Sequence, residues 1–394
     1  MFRVLWWGTL INRMGGFVGP LLTFYLTQAR GVELGTAGAI VALYGVGQVC
    51  ASLVGGVMAD RLGRRATLLL SLFGGGAAMF ALGLAREPST IAAMVLVTGF
   101  AGELYRPAVA AMVADVVPPA DRVHAYGLLY WAVNLGFSIA PALGGVVASW
   151  SYSLLFVLDA ATTIAYGVIV YRRVPETRPA HAPSEHATVG LADVARDRTF
   201  VVFLALIFLN ALIPWQSSVS LSAYMASQGH AAATFGAIMA LNGVLIITLQ
   251  PSINAALAHR DPSRVLAASA FVAGLGFFVH GLGAAIPLHL VAVTIWTLGE
   301  ILGSGIGSTL VAAFAPAHAR GRYQGAFTMS WGLASAVAPL VGARVLDRWS
   351  GDVLWAGCLV LGAVVAALFL LTAPARRRRL AGTSTTSSAA SGHA

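Results

Sequence analysis

The sequence predicts an all-α integral membrane protein, with twelve transmembrane helices forming two pseudo-symmetric six-helix bundles. Three observations lead there. Of 394 residues, 58 % are hydrophobic and 10 % charged, whereas soluble domains run at about 45–50 % and about 25 %. The apolar residues gather into twelve runs, each long enough to cross a bilayer. The second half of the chain repeats landmarks of the first at a nearly constant offset.

So little charge cannot solvate a soluble multidomain enzyme, and so much apolar surface excludes a disordered chain. A disulfide-built secreted scaffold is excluded as well, because the only cysteines are Cys50 and Cys358. Both stand inside apolar runs and read as small core residues. The net charge of +9 would suit nucleic acid if it formed a patch. Instead the basic residues, all arginines, mostly occupy short gaps between apolar runs, so no nucleic-acid partner is expected.

A spanning helix needs roughly 20 apolar residues. Such runs lie at 4–27, 36–59, 66–85, 89–113, 124–149 and 152–172, then at 199–224, 232–257, 265–284, 288–313, 322–346 and 353–374. The first lacks a small-residue cleavage site and carries Asn12 and Arg13, so it reads as a retained span and not a signal peptide. Residues 1–172 thus form one six-helix bundle and 199–374 the other. Between them, 173–198 is rich in Pro, His and charge and reads as a linker, ending in a short amphipathic helix from Leu191 to Arg198. The small polar tail at 375–394 is expected to be disordered, with Arg376–Arg379 as a stop-transfer flank.

Arginine placement predicts direction. Eighteen of the 24 arginines fall in gaps on one side, including Arg61, Arg64, Arg65, Arg172, Arg173 and Arg376–Arg379. Arg30, Arg86, Arg344 and Arg348 fall on the other. By the positive-inside rule the rich side is cytoplasmic, which places both termini inside a cell inner (plasma) membrane.

The repeat is read from landmarks. Pro118, Arg122, Gly127, Ala140, Pro141 and Gly144 recur 198 residues later as Pro316, Arg320, Gly325, Ala338, Pro339 and Gly342. Gly102-Glu103 recurs 197 residues later as Gly299-Glu300. A duplicated six-span unit of parallel orientation is a transporter architecture whose substrate site lies at mid-membrane between the halves.

Between spans 2 and 3 stands Gly56-Val57-Met58-Ala59-Asp60-Arg61-Leu62-Gly63-Arg64-Arg65. It resembles the loop signature of the major facilitator superfamily, G-x-L-x-D-R-x-G-R-R, with Met58 in place of leucine. The resemblance implies a gating role for Gly56, Asp60, Arg61, Gly63, Arg64 and Arg65. Asp60 would face the N-terminus of span 11 near Arg322, and Asp115 would pair with Arg64. The corresponding second-half loop, His259-Arg260-Asp261-Pro262-Ser263-Arg264, is a degraded copy.

Span 5 carries Gly136-Phe137-Ser138-Ile139-Ala140-Pro141-Ala142-Leu143-Gly144-Gly145. This is similar to the antiporter signature g-x-x-x-G-P-x-x-G-G, with Ala140 replacing its glycine. Gly136, Ala140, Pro141, Gly144 and Gly145 can pack closely and bend. The resemblance extends to the twelve-helix drug:proton antiporter branch, and with it to export and a monomer. One landmark of that branch, an arginine about twenty residues before the span-4 aspartate, is Val95 here.

Ionisable groups at mid-bilayer cost roughly 2.5–3.5 kcal/mol on insertion scales, so each needs a partner or a purpose. Glu103 lies 12 residues before Asp115, about 18 Å along a helix. Arg106 follows on the same face, and Arg13 lies at a depth from which it reaches Glu103. Glu300, in span 10, has no charged neighbour in sequence. These four, Glu300 foremost, are the proton-coupling candidates, whereas Asp159 reads as a satisfied structural acid.

Tyr25, Tyr44, Tyr130, Trp131, Asn134, Asn210, Trp215, Gln216, Asn242, Gln250 and Trp296 supply polar and aromatic groups amid apolar walls, a lining suited to an amphipathic small-molecule substrate. No cluster has metal-ligand spacing and no phosphate-binding G-x-x-x-x-G-K-[ST] loop is present, so neither metal nor cofactor is expected. The expectation is proton-coupled export of drugs or amphipathic compounds by alternating access. Uptake symport of a sugar, peptide or other metabolite is the alternative. A non-transporting membrane enzyme or sensor is the third reading, disfavoured by the lack of a catalytic constellation.

Overall fold

The computed structural model describes residues 1–118, 122–177, 196–257, 260–314 and 320–379. Most of the predicted linker, including its amphipathic helix, and the tail beyond Arg379 lie outside the described residues. The described residues form helices α1 (Phe2–Met14), α2 (Val18–Phe24), α3 (Leu34–Arg61), α4 (Arg64–Leu84), α5 (Pro88–Glu103), α6 (Tyr105–Val116), α7 (Arg122–Trp150) and α8 (Tyr152–Arg173) in the first bundle. The second bundle holds α9 (Arg198–Ala211), α10 (Ser220–Ser227), α11 (Ala232–Leu257), α12 (Pro262–Val279), α13 (Ile286–Gly303), α14 (Ile306–Phe314), α15 (Arg320–Arg348) and α16 (Gly351–Leu371).

Sixteen helices make twelve crossings because four crossings are interrupted. The breaks fall between α1 and α2, α5 and α6, α9 and α10, and α13 and α14, which is every third span. Each has a covalent cause. Gly15-Gly16 separate α1 from α2. At α5/α6 the carbonyl of Glu103 would accept from residue 107, but that residue is proline and has no N–H. Pro214 opens the 3₁₀ turn Pro214–Ser217 between α9 and α10. Gly305 adopts φ +77° after an extended Ser304, a conformation that favours glycine. Composition and length single out ten spanning helices. The two crossings missing from that set are α1/α2 and α5/α6, whose halves are individually too short.

Lipid cannot satisfy polar groups freed by such breaks, and at two of them buried side chains take up the role. Asp159 Oδ2 of α8 accepts the Val18 N–H at 3.3 Å at the start of α2, the structural role expected of it. Asn12 donates to Thr163 Oγ1 at 2.8 Å just before the same break. Gln216, 5 % exposed, donates to the carbonyls of Leu212 and Ala338 and accepts from Ser220.

The bundles meet mainly along two helix pairs, α3 with α15 and α7 with α11, and α2 adds a smaller contact through Phe24 on Phe235. Glycine permits both pairs. A Cβ on Gly38 would lie 2.5 Å from Ala343 Cβ, and one on Gly45 would lie 2.7 Å from the Ala336 nitrogen. On Gly236 it would lie 2.2 Å from the Pro141 carbonyl oxygen, and on Gly243 1.7 Å from Ser138 Oγ. The α3–α15 approach runs from Gly35, against Asp347, to Gln48, against Ser335. These described contacts zip the bundles from the end opposite the termini to mid-height. At that end a polar chain closes the second bundle: His280 and His289 share a 2.8 Å Nδ1–Nδ1 contact, and His289 Nε2 meets Gln228 Oε1 at 3.0 Å.

At the terminal end, the arginines expected to be a plain flank clasp the second bundle. Arg376 is buried and donates to Ser263 Oγ. Arg377 pairs with Asp261, which caps α12, and Arg379 lies 3.5 Å from Asp197, which caps α9.

Candidate functional site: two carboxylates beside the interface between bundles

Glu103 ends α5 at the break, where the first bundle's fourth crossing turns into α6. Arg106, three residues on, forms an ion pair with its Oε2. Arg13 Nη2 of α1 stands 3.7 Å from its Oε1, with its guanidinium 4.7 Å from the centre of the Tyr105 ring. The sequence-predicted trio therefore comes together. Arg13 is seated there because α1 crosses α7 at Gly136, where a Cβ would stand 2.3 Å from Arg13 Cβ.

Glu300 stands three residues before the end of α13, at the corresponding place in the second bundle. Its neighbours come from α11: Asn242 Nδ2 donates to Glu300 Oε2 at 3.1 Å and to Thr297 Oγ1 at 3.0 Å. The opposite side of α13 packs on α12, with Gly299 against Ala273 and Trp296 stacked on Phe277. Glu300 is nevertheless exposed, and so is half of the Arg106 side chain.

Both carboxylates connect to the same crossing. Glu103 reaches it through Arg13 and Gly136. Glu300 reaches it through Asn242, whose neighbour Gly243 abuts Ser138. The segment Gly136–Ser138 of α7 is thus one side chain away from each acid.

The span-5 signature explains that position. Gly136 and Gly144, two turns apart, face α1 and the Phe17–Leu21 segment. The Pro141 carbonyl and Gly145 face Gly236 and Ala233 of α11. Ala140 is fully buried. One helix therefore packs on the first bundle with one stripe and on the second with another.

In the gating loop, Arg64 Nε lies 2.7 Å from Asp115 Oδ2, the pairing implied by the family signature. Gly63 has φ +105°. Arg65 donates to the Tyr171 carbonyl at 2.7 Å. Glu176, which no local sequence pattern marks, organises the loop. Its two oxygens accept the backbone N–H groups of Arg64 and Arg65 at 3.0 and 3.1 Å, capping α4. Its separation of 112 residues from Arg64 leaves no local signal. Arg61 is exposed, and the surroundings of Gly56 and the side chains of Asp60 and Tyr130 lie outside what the structure describes.

The predicted substrate set divides. Asn242, Tyr44, Asn134 and Gln250 are part-buried on α11, α3 and α7, the helices of the two inter-bundle pairs. Trp131 is exposed and stacks on Trp6 at 6.1 Å. Asn210 and Trp215 flank the α9/α10 break, where Asn210 Oδ1 and Trp215 Nε1 have no hydrogen-bond partner among the described residues. The other three are packed inside a bundle. Tyr25 accepts from Arg30 and packs on Phe156, Trp296 is 2 % exposed, and Gln216 braces the span-7 break. Among the described residues no His/Cys/Asp/Glu group could hold a metal ion.

The Major Facilitator Superfamily profile matches residues 5–339. The chain belongs to the major facilitator superfamily. Sequence relatives of this superfamily member extend over nearly its whole length. It is 27 % identical over 381 residues to the uncharacterised MFS-type transporter YttB of Bacillus subtilis (strain 168), covering 94 % of each chain. It is 25 % identical to a Na(+), Li(+), K(+)/H(+) antiporter of Planococcus maritimus, covering 86 % of this chain and 88 % of that one. It is 26 % identical to the class D tetracycline resistance protein of Salmonella ordonez, covering 93 % and 96 %. In three dimensions it is similar to a POT family transporter crystallised with 5-aminolevulinic acid. That match has a TM-score of 0.82 at 18 % identity, over 95 % of this chain and 96 % of the other. The superfamily member is a transporter of this fold and not an enzyme.

Proposed function

We propose that the protein is a proton-coupled exporter of amphipathic small molecules, working by alternating access. The carrying observation is Glu300, a carboxyl group in the interior of a spanning helix, exposed, and held by one neutral amide from the helix that crosses to the other bundle. A group so placed can exchange a proton with water and report its charge to Asn242, hence to the α7–α11 crossing. Glu103 lies on the opposite flank with Arg13 and Arg106 as permanent countercharges. In this reading it tunes the site, while Glu300 loads and releases the proton.

Asn242, Tyr44, Asn134, Trp131 and Gln250, with the unpartnered atoms of Asn210 and Trp215, are proposed to meet the substrate. Gly56, Asp60, Arg61, Gly63, Arg64, Arg65 and Asp115 are proposed to latch the terminal end. The α7 signature is proposed to act as the hinge seal. The arginine distribution supports a plasma-membrane orientation with both termini inside, and a monomer suffices because both carboxylates lie in one chain. Export is favoured by the resemblance of the span-5 segment to an antiporter signature, and by two relatives whose names specify antiport or drug resistance. One proton crossing 100 mV supplies about 2.3 kcal/mol, which at about 1.4 kcal/mol per decade sustains roughly a fifty-fold gradient without ATP.

Everted vesicles test this reading. Acidifying their lumen should drive accumulation of tetracycline or a lipophilic cationic dye, and Glu300→Gln should abolish the driven accumulation while substrate exchange persists. Full proton-driven transport by the Gln variant would refute the role of Glu300. Driven uptake only in right-side-out vesicles, or movement of Na⁺, Li⁺ or K⁺ with no organic substrate, would refute the export reading.

A further inference from the structure

A groove runs along the membrane-facing side of the first bundle, between α1 and α8, with a volume of about 420 Å³. The two helices touch on one face of α1. Gly8 abuts the Tyr166 ring, the Tyr166 hydroxyl donates to the Leu5 carbonyl, and Asn12 donates to Thr163. That contact turns Trp7 and Ile11 outward, where they face Val168 and Ile169 across the groove. These four walls are 57, 42, 37 and 38 % exposed. At the terminal end the groove opens between Arg3, the last-turn Arg172 and Arg173.

Among the described residues the guanidiniums of these three arginines have no hydrogen-bond or ion-pair partner, whereas those of Arg64, Arg65, Arg376, Arg377 and Arg379 are engaged. Those of Arg198, Arg260, Arg264 and Arg378 are unpaired among the described residues as well but are not among the walls of the groove. Glu176, the described acid next along the chain, is spent on the α4 amides. Three uncompensated guanidiniums thus cap a channel of hydrocarbon surface that points along the bilayer normal. Basic pockets between spanning helices recognise anionic lipid headgroups, and guanidinium forks match phosphate oxygens. A soluble anion would use the rim and leave the channel empty.

We propose that this groove binds one anionic diacyl phospholipid. Its phosphate is held by Arg3, Arg172 and Arg173, and one acyl chain lies along Trp7, Ile11, Val168 and Ile169. The site is separate from both carboxylates, so the inference stands whatever the transported substrate.

Native mass spectrometry of the full chain, equilibrated with equal amounts of phosphatidylglycerol and phosphatidylcholine, tests it. One phosphatidylglycerol should be retained with about tenfold preference, and Arg3→Gln/Arg172→Gln/Arg173→Gln should remove that preference. Arg260→Gln/Arg264→Gln/Arg378→Gln, which deletes as much charge at the same end, should leave it intact. Val168→Trp or Ile169→Trp, filling the groove under unchanged arginines, should displace the lipid. Equal retention of the two lipids, retention in the first triple variant, or retention in both groove-filled variants would overturn the proposal. So would displacement of the lipid by millimolar inorganic phosphate, since that would mark an anion site with no use for the groove.

Discussion

Asn242 of α11 donates its side-chain amide to Glu300 of α13 at 3.1 Å, 58 residues away in the chain. This single bond joins the proposed proton site to the helix that carries Gly243 into the first bundle. A hydrogen bond to a charged group is worth about 1.5–3 kcal/mol. Asn242→Ala should therefore slow proton-driven flux about tenfold or more and displace its pH profile. In a double-mutant cycle read on substrate exchange, which Glu300→Gln retains, adding Asn242→Ala to Glu300→Gln should cost nothing further. Strictly additive losses would show that the two side chains act separately.

Gly236 is placed to fail informatively. A Cβ there meets the Pro141 carbonyl oxygen at 2.2 Å, which is backbone and cannot rotate away. Overpacking of this kind costs about 1–3 kcal/mol. Gly236→Ala should wedge α7 from α11, and Gly236→Val should do so further. Spin labels replacing the exposed Glu33 and Arg348 would read a longer separation by pulsed EPR. An unchanged distance with full transport would remove the α7–α11 contact from the cycle.

Glu176 should matter to the gating loop more than its exposed position suggests. Capping a helix start is worth about 1 kcal/mol, and Glu176 serves two orphan amides. Glu176→Ala should lower the thermal midpoint in detergent, and Glu176→Gln, which keeps one of the two acceptor oxygens, should restore only part of it. Gly63→Ala should be worse than either, because φ +105° is strained for alanine and its Cβ would stand 2.4 Å from Glu176 Oε2.

Asp261 gives a pH dependence whose sign is fixed. Burial opposes its charged form, but the Arg264 N–H, the Arg377 guanidinium and the Ser263 N–H outweigh it and hold the carboxyl below the usual carboxylate range. A group with a depressed folded value stabilises above its unfolded pKa and loses that contribution as pH falls through the folded one. Stability of the wild-type protein should therefore exceed that of Asp261→Asn near neutrality. The gap should close as the medium is acidified below the ordinary carboxylate range. A gap that persists there would assign the effect to packing.

The histidine pair can be checked by ¹⁵N NMR of histidine-labelled protein. Gln228 Oε1 only accepts, so His289 carries its hydrogen on Nε2. Its Nδ1 then accepts from His280 Nδ1–H. Two different neutral tautomers should be seen, and His280→Phe should release His289 from this constraint.

The twelve crossings were legible because lipid enforces length and hydropathy on every span. Arg64–Asp115 was legible from the resemblance to the family loop signature, and Arg13–Glu103–Arg106 because charge at mid-bilayer must be paired. Side-chain facing was not. In a bilayer both the packed and the lipid-facing stripes are apolar, so nothing in the sequence separates Tyr25 and Trp296, packed inside a bundle, from Tyr44 and Asn242 beside the interface. Gln216 shows the same limit, since a glutamine amid apolar residues reads alike whether it braces a broken helix or meets a ligand. Long-range caps such as Glu176, and the arginine clasp onto Asp197 and Asp261, join segments too distant for spacing to relate.

The four interrupted crossings have one more consequence. Backbone groups freed at Gly15-Gly16, Pro107, Pro214 and Gly305 must find polar partners inside the protein, which fixes where the first span of every triplet bends. Inheritance that keeps these glycines and prolines can rewrite other residues beside the interface between bundles while the bends stay in place.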